Sequence, residues 1–324
     1  MADHADDGGD GDIFIYRGGR APQHVTHARI DRSIEEIEEN AFLRCERLVQ
    51  VDTHDGLKKI RKGAFFRCYP LGWINLKSVV EIEEDAFYMC TNLADVEFGD
   101  RLETVRGSAF IGCSLRHLKL PSIVTIGSCA FMNCDRLIDI ELSERLETIG
   151  RSAFTGCKRL QRISIPLKRD LFVLDDRFHK YNQFAVCEEL STVDLLVGIH
   201  ETIASFHMRS WRTEMIAEIN RINQVLPNTV TRKAGVIRQW MEVVIDKMDH
   251  YKAEHCMYVK EGITFLELAL WKAKLGEKDN KEDSSVERQT KKAKVDSEST
   301  RKEKRITCGA DMVIKNVLPF LKLE

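Results

Sequence analysis

A five-residue pattern, Ala-Phe-x-x-Cys, recurs along the first half of this chain of 324 residues. Its six intact copies are separated by 23, 22, 23, 21 and 23 residues, and they begin at Ala41, Ala64, Ala86, Ala109, Ala130 and Ala153. A seventh copy, Gln183 to Cys187, keeps the Phe and the Cys and loses the Ala. A fixed period in this range is the sequence signature of a repeat solenoid. Each unit of a solenoid buries its apolar edge only against its neighbours.

Apolar positions on both sides of the pattern complete the repeat unit. In the first repeat Ile34 and Ile37 precede the pattern, and Leu48 and Val51 follow it. The residues that follow show the period of two that is typical of a short strand, so we expect these strands to stack as a parallel sheet. The pattern itself predicts a turn of α-helix or 3₁₀-helix with Ala and Phe directed inward. The fourth repeat has only Ser114 between its Cys and the next Leu, where the other repeats have two residues.

Two departures from the period predict where other structure begins. The spacing stretches to 30 residues before the seventh copy, which indicates an insertion around Phe172 in a loop or bulge. After residue 200, apolar residues recur at helical spacing, and Pro227 breaks this pattern. A second helical stretch follows and is expected to run to Leu275, with a kink near Gly262.

Composition predicts the remaining segments. Residues 276–304 contain nine basic and eight acidic residues and almost nothing apolar, which is the composition of a disordered linker. The expected segments are an acidic disordered terminus (1–12), a solenoid of seven to eight coils (13–200), a helical hairpin (201–275), the charged linker (276–304) and a C-terminal helix (305–324).

The six intact copies, with their flanking Ile, Val and Leu positions, resemble the BspA-like class of leucine-rich repeats. The resemblance covers about residues 25–206, and six regular copies make it specific. It implies an α/β repeat solenoid with a parallel β-sheet ladder, followed in this chain by an all-α C-terminal region. It also implies kinship with surface and secreted adhesion proteins, in which such repeats occur.

Solvent-facing positions of the predicted strands form the candidate binding surface. The candidate protein-binding residues are Trp73, Asn75, Asp95, Glu97, His117, Lys119, Asp139, Glu141 and Arg162. Acidic and basic residues alternate between adjacent strands, which fits cross-strand charge pairs worth about 0.2–1 kcal/mol each. The same residues fit a polar interaction surface with Trp73 as its aromatic anchor, because exposed Trp is enriched at binding hot spots. The two interpretations are compatible with each other.

The sequence carries no arrangement that favours catalysis or cofactor binding. It lacks Gly-x-Ser-x-Gly, His-Glu-x-x-His, Gly-x-Gly-x-x-Gly and phosphate-binding loop motifs. Seven of the ten cysteines occupy the repeat position, one in each coil, whereas zinc requires four clustered ligands. We therefore expect no enzymatic activity, no cofactor and no metal. The cysteines are expected to be buried free thiols in a reducing compartment.

Charge and targeting features predict the location and exclude some partners. The net charge of −2, from 49 basic and 51 acidic residues, does not favour a nucleic-acid partner. No run of 18 apolar residues and no signal-peptide pattern occurs, so we expect no membrane association and a cytoplasmic location. The basic cluster Lys291, Lys292 and Lys294 is a candidate nuclear-import signal, although a solvated mixed-charge linker is the favoured explanation.

The leading interpretation is an intracellular, non-catalytic scaffold that binds a protein partner of unknown identity. One alternative is a cell-surface or secreted adhesion-type repeat protein, which disulfide bonds would favour. Another is a protein that self-associates through its helical tail to form a homo-oligomer.

Overall fold

Parallel β-strands, stacked coil upon coil, form the main body of the structure. The computed structural model describes residues 13–173, 182–196, 203, 209–226 and 233–282. All strand pairs in this part of the chain are parallel. The predicted α/β repeat solenoid, followed by a helical region, is therefore confirmed. The chain divides into two compact units, residues 1–247 and 248–324.

Each intact coil contributes one long and one short strand. One sheet of long strands contains β1 (Phe14–Tyr16), β2 (His27–Ile30), β4 (Gln50–Asp52), β6 (Trp73–Leu76) and β8 (Asp95–Phe98). A second sheet of long strands contains β10 (His117–Leu120), β12 (Asp139–Leu142), β14 (Arg162–Ile165) and β15 (Thr192–Leu195). The short strands form one sheet of β3 (Glu36–Ile37), β5 (Lys59–Ile60), β7 (Glu81–Ile82), β9 (Thr104–Val105), β11 (Thr125–Ile126) and β13 (Thr148–Ile149). We call the outward side of the long strands the long-strand face.

A column of stacked aromatic rings runs through the solenoid. The Phe of every repeat is fully buried, and neighbouring rings lie 5.0–5.7 Å apart and within 10° of parallel. Tyr16 extends the column at its N-terminal end, 5.1 Å from the ring of Phe42. Ring pairs in this distance range contribute about 0.5–1.5 kcal/mol beyond the burial of their area. The inward direction predicted for Ala and Phe is confirmed.

The repeat cysteines form a second column. Each thiol from the second repeat onward donates to the backbone oxygen of the Phe one repeat earlier, with S···O distances of 2.9–3.2 Å. Burial raises the pKa of these thiols, to about 12 for Cys134 and Cys187. The sulfur therefore stays protonated and keeps its hydrogen for the carbonyl. Cys suits this position because it is small and apolar and carries one weak donor.

The Ala-Phe-x-x-Cys segment contains left-handed turns and not the helical turn that we expected. In the first repeat Asn40 and Arg44, which precede the Ala and the Cys, have φ of 57° and 56°, and positive φ recurs at these two positions along the chain. Such residues cannot continue a right-handed helix. They direct backbone N–H groups to the next coil, so Phe42 N donates to Ala64 O at 2.7 Å and Arg44 N to Phe66 O at 2.8 Å. The turn thus continues the hydrogen bonding of the sheets.

The insertion before the seventh repeat takes part in the solenoid. Phe172 forms a parallel bridge with Ile149 of β13, so this segment lies where the next short strand is expected. The ring of Phe172 is buried and packs edge-on against Phe184, with ring centres 5.8 Å apart. This part of the insertion is structural. The additional residues 174–181 lie outside the described part of the chain.

Two helices follow the last strand. Helix α1 is Arg209–Val225 and helix α2 is Lys233–Glu282. A buried hydrogen bond links the two helices: the indole N–H of Trp240 on α2 donates to Glu218 O on α1 at 2.8 Å. Helix α2 is continuous through Gly262 and passes the end that we expected at Leu275, so residues 276–282 are helical and do not belong to the linker.

The first residue of α2 closes the C-terminal end of the solenoid. Lys233 is only 2% exposed, and its ammonium donates to Cys187 O, Glu188 O and Leu190 O at 2.7, 3.0 and 2.7 Å. In an earlier coil the carbonyl equivalent to that of Glu188, Tyr69 O, accepts a hydrogen bond from the next coil. Lys233 therefore supplies the donors that a further coil would supply, although burial lowers the pKa of its ammonium.

The seventh repeat places a β-branched residue in a left-handed conformation. Val186 has φ of 61°, at the position where Asn133 has φ of 58°. A branched side chain is strained there, whereas Asn is tolerated. We expect Val186→Asn to raise the free energy of unfolding by about 1 kcal/mol, measured by urea denaturation. The reciprocal Asn133→Val should lower it by a similar amount, and a stabilising Asn133→Val would contradict this account.

We expect Lys233→Met to lower the free energy of unfolding by about 3 kcal/mol. The carbonyls of Glu188 and Leu190 lose the donor that the ammonium supplies, and Cys187 O keeps only the longer bond from Leu190 N at 3.4 Å. The methionine keeps most of the apolar stem, so the loss reports on the ammonium. Lys252→Met, on an exposed turn of the same helix, is the matched control and should change stability by less than about 0.5 kcal/mol. Equal stability of the two variants in urea would show that Lys233 is not a cap.

Candidate functional site

The long-strand face is interrupted between β8 and β10. These strands belong to consecutive coils but to different sheets. The short strands of the same two coils, β7 and β9, pair normally, and Phe87 N donates to Ala109 O at 2.7 Å as in other coils. The separation is therefore confined to the long-strand face. It opens a cleft of 510 Å³ between the two sheets.

Two local differences in sequence explain the interruption. The fourth repeat lacks one residue before Leu115, and Ser114 N pairs with Leu93 O at 3.0 Å ahead of the strands. Phe98 also ends β8 where the neighbouring long strands carry Leu. Its ring packs edge-on against Phe110 of the central column, with ring centres 5.7 Å apart. The shortened connection and the larger side chain together keep β10 from the position that it would have beside β8.

The floor of the cleft is apolar and belongs to the core of the solenoid. Val96 and Phe98 are only partly buried, although their equivalents on β6, Ile74 and Leu76, are fully buried. Pro121 adds a further apolar wall. Interior side chains of β8 thus contact solvent on the long-strand face.

The rim of the cleft carries charges of both signs. Lys77, Glu97, Asp100, His117 and Lys119 line it, together with Gly99. Lys77 Nζ lies 2.8 Å from Glu97 Oε2. The basic residues of β10 pair with the acidic residues of β12, His117 with Asp139 and Lys119 with Glu141. All of these side chains are largely exposed, so each pair contributes little to stability, and a ligand can replace either partner at low cost.

The structure places the nine predicted binding residues on the long-strand face in two groups. Trp73, Asn75, Asp95 and Glu97 lie on β6 and β8, and His117, Lys119, Asp139, Glu141 and Arg162 lie on β10, β12 and β14. Glu97, His117 and Lys119 line the cleft. Asp139 and Glu141 support its rim, and Arg162 pairs with Asp194 on β15. Cross-strand charge pairing is therefore present on this face, and the binding role of these residues stays a prediction.

Sequence reasoning missed Lys77, Phe98, Gly99 and Asp100 at the same cleft. The available signal was the single residue between Cys and Leu in repeat four, followed by the larger residue at the end of β8. Gly99 is required by close packing, because a Cβ there would lie 1.9 Å from Lys77 O. The candidate nuclear-import residues Lys291, Lys292 and Lys294 lie outside the described residues.

A different charge network lies on the sheet of short strands. Lys59 Nζ lies 2.9 Å from Glu81 Oε2 and 2.8 Å from Glu83 Oε1. Burial is the largest single effect and acts to raise the pKa of both carboxyl groups. The hydrogen bonds and charges of Lys59, together with Arg106 at Glu81 and with Lys62 N–H and Arg61 at Glu83, outweigh it and lower both pKa values. These side chains are less exposed than those of the cleft rim and lie at the centre of a continuous sheet. Their role is to hold adjacent coils together.

The described residues include neither a metal-binding cluster nor a membrane-spanning helix. In residues 13–173, 182–196, 209–226 and 233–282, no group of three or more His, Cys, Asp and Glu side chains is arranged to hold a metal ion. Among the helices of the same ranges, none is long and apolar enough to cross a membrane. The nine cysteines in the described residues are free, and Cys256 on α2 is exposed.

Comparison with known proteins gives the relationships of the chain. It is similar to a leucine-rich repeat protein from Bacteroides ovatus, with 23% identity over 57% of this chain and 43% of that protein and a TM-score of 0.42. It is also similar to the T. pallidum leucine-rich repeat protein, with 20% identity over 61% and 88% of the two chains and a TM-score of 0.36. It is 17% identical to the pneumococcal vaccine antigen PcpA, over 59% of this chain and 80% of that protein, with a TM-score of 0.32.

The match thus spans less than half of the Bacteroides ovatus protein. No curated protein matches the chain. The profile of the BspA type leucine-rich repeat region matches in six copies, over residues 22–126 and 108–221. The two ranges together span more than half of the sequence, and the chain therefore belongs to the BspA type leucine-rich repeat family.

Proposed function

We propose that this protein is a non-catalytic, intracellular scaffold that binds an extended segment of a partner protein along its long-strand face. The observation that carries the proposal is the cleft between β8 and β10, where core side chains are open to solvent inside a charged rim. Membership of a repeat family supports the coarser part, an interaction scaffold.

The dimensions of the cleft suit one or two apolar side chains of a partner. Its volume of 510 Å³ lies within the range of about 300–1,000 Å³ that is common for ligand sites. An apolar side chain inserted over Val96 and Phe98 would gain about 1.5–3 kcal/mol from its burial. The exposed charges of the rim would then set the register and orientation of the bound segment.

Trp73 extends the proposed surface toward the N-terminal coils. It is half-buried on β6 and lies beside Asp95 of β8 in the strand register. Neither Lys nor Arg occupies an outward position of β8, so Asp95 and Glu97 give that strand an acidic surface beside the basic surface of β10. A partner segment that crosses both strands would carry an apolar anchor flanked by charges of both signs.

The intracellular part of the proposal is supported by the cysteines. The column of repeat cysteines requires a hydrogen on each sulfur, because each thiol donates to a carbonyl of the preceding coil. The exposed thiol of Cys256 is also free. Exposed free thiols are typical of reducing compartments. Import into the nucleus through Lys291, Lys292 and Lys294 remains a further proposal.

Peptides selected by display from a random library of extended sequences test the binding surface. We expect the selected peptides to bind the intact protein and to lose about tenfold or more in affinity with Lys119→Ala or Trp73→Ala, because these changes remove a rim charge or the aromatic anchor. The measurement is the dissociation constant from titration calorimetry, with thermal melting to verify folding.

Lys58→Ala is the matched control for Lys119→Ala. Both lysines are exposed and each pairs with one glutamate, but Lys58 adjoins the sheet of short strands. Its replacement should leave peptide affinity unchanged. If the selected peptides bind all three variants equally well, or if the library yields no binding peptide, the long-strand face is excluded as the binding surface.

Thiol reactivity tests the proposed reducing compartment and the column of buried cysteines. If the compartment is reducing, all ten cysteines of protein purified from its own cells without reductant should react with a thiol reagent in denaturant. In the native protein at pH 8 we expect Cys134 to react at least on the order of a thousandfold more slowly than Cys256, because a pKa of about 12 leaves little thiolate. Cys256→Ser should remove a fast phase. Fewer than ten reactive thiols would favour the cell-surface alternative.

A further inference from the structure

The two walls of the cleft are strand edges that the described residues leave unpaired. Between the first and last long strands, each strand bonds to the coil before it and to the coil after it, except at the cleft. Within residues 13–173 and 182–196, β8 pairs only with β6, and β10 pairs only with β12. The cleft therefore has an open backbone edge on each side.

The hydrogen bonds of β8 show which of its backbone groups face the cleft. A residue in a parallel strand bonds to one neighbouring strand through its N–H and C=O, and the next residue bonds to the other neighbour. Asp95 N donates to Gly72 O, just before β6, at 3.5 Å. Asp95 therefore faces β6, and the N–H and C=O groups of Val96 and Phe98 are directed toward the cleft.

The opposite wall follows from the equivalent residues of later coils. Arg162 holds the position on β14 that His117 holds on β10, and Arg162 N donates to Ile138 O in the coil before it at 3.3 Å. Outward residues of the long strands thus bond backward along the solenoid. On β10 these residues are His117 and Lys119, so their N–H and C=O groups are directed toward β8 across the cleft.

The separation of the two edges suits one additional strand. Neighbouring strands of a sheet lie about 4.8 Å apart, so a strand inserted between two others requires roughly 9.6 Å between them. For nearly all pairs of residues from β8 and β10 the Cα atoms lie more than 8 Å apart, whereas most residues of the paired strands β6 and β8 are closer. The gap clearly exceeds one strand spacing, as an inserted strand requires.

An occupant that covers the apolar floor of the cleft also removes water from both edges. Buried N–H and C=O groups require partners, and an extended main chain supplies donors and acceptors to both edges at the strand spacing. Alternate side chains of such a strand point to the floor formed by Val96 and Phe98. The other side chains lie outward between Glu97 and Lys119, where a basic and an acidic residue find opposite charges.

We propose that an extended segment of a partner protein inserts its main chain between β8 and β10 as an additional strand. The segment joins the five-stranded and the four-stranded sheets into one. It carries apolar side chains at alternate positions and charges of both signs between them. This inference rests on the proposed binding at the long-strand face, and adds that recognition is by the backbone as well as by side chains.

Ester replacement in the peptides selected by display tests the insertion. An ester in place of one peptide amide removes an N–H donor without adding bulk. We expect each replacement at three or more consecutive central residues to weaken binding about threefold or more, because alternate N–H groups bond to β8 and to β10. Titration calorimetry of the full-length protein measures the dissociation constants. The same replacement at the two ends of the peptide is the control and should leave affinity unchanged.

The positions of the losses separate this inference from the proposed function. A loss only at every second residue indicates pairing with one strand edge, and the absence of any loss indicates binding through side chains. Either result overturns the insertion. The proposed function still stands in both cases if Lys119→Ala and Trp73→Ala weaken binding. Peptides that respond neither to the esters nor to these two variants contradict both proposals.

Hydrogen exchange of the full-length protein gives a second test with an internal control. Four amides are directed toward the cleft, those of Val96, Phe98, His117 and Lys119. At saturating peptide we expect them to exchange about tenfold or more slowly than in the free protein, because they gain partners. The amide of Glu97 faces β6 and should change much less. A complex in which the four amides exchange as fast as in the free protein would overturn the insertion.

Discussion

Backbone hydrogen bonding between consecutive coils is the constraint on which the rest of this structure depends. The bonds continue through the Ala-Phe-x-x-Cys turn, because left-handed residues such as Asn40 and Arg44 direct N–H groups to the next coil. This holds the turns at nearly the spacing of paired strands, about 4.8 Å. The phenylalanine rings then stack at 5.0–5.7 Å, and each cysteine reaches a carbonyl of the preceding coil. One geometric requirement therefore explains Ala, Phe and Cys together.

Much of this architecture could be predicted from the repeat period. The conformation of the Ala-Phe-x-x-Cys turn could not. Period and alternation predict the ladder of strands and the inward Phe, because burial of an apolar position repeats with the coil. The prediction of a helical turn is wrong. The residues that adopt positive φ, such as Asn40, Arg44 and Met89, differ in type, so no sequence pattern marks the left-handed turn. The cleft was missed for a related reason. The single residue Ser114 was visible in the sequence, but its effect depends on how Phe98 packs against the neighbouring coil.

The two ends of the solenoid are closed by different chemistry. At the first coil Tyr16 places an aromatic ring on the column, and its hydroxyl accepts a hydrogen bond from Glu38 N at 3.4 Å. At the last coil the ammonium of Lys233 donates to three backbone carbonyls, those of Cys187, Glu188 and Leu190. Sequence patterns predict that a cap is needed, but a single lysine at the start of a helix has no pattern of its own.

A solenoid built from equivalent coils has a distinct site only where the period fails. Within residues 13–173 and 182–196 three departures are evident, and two are absorbed into the core. Phe172 of the insertion packs on the aromatic column, and Gln183, which replaces the Ala, donates to Val173 O at 2.6 Å. The shortened fourth repeat differs, because it leaves Val96 and Phe98 open to solvent. A departure that exposes core surface lowers stability unless something covers it, and this is the physical basis of the proposal that a partner binds at the cleft.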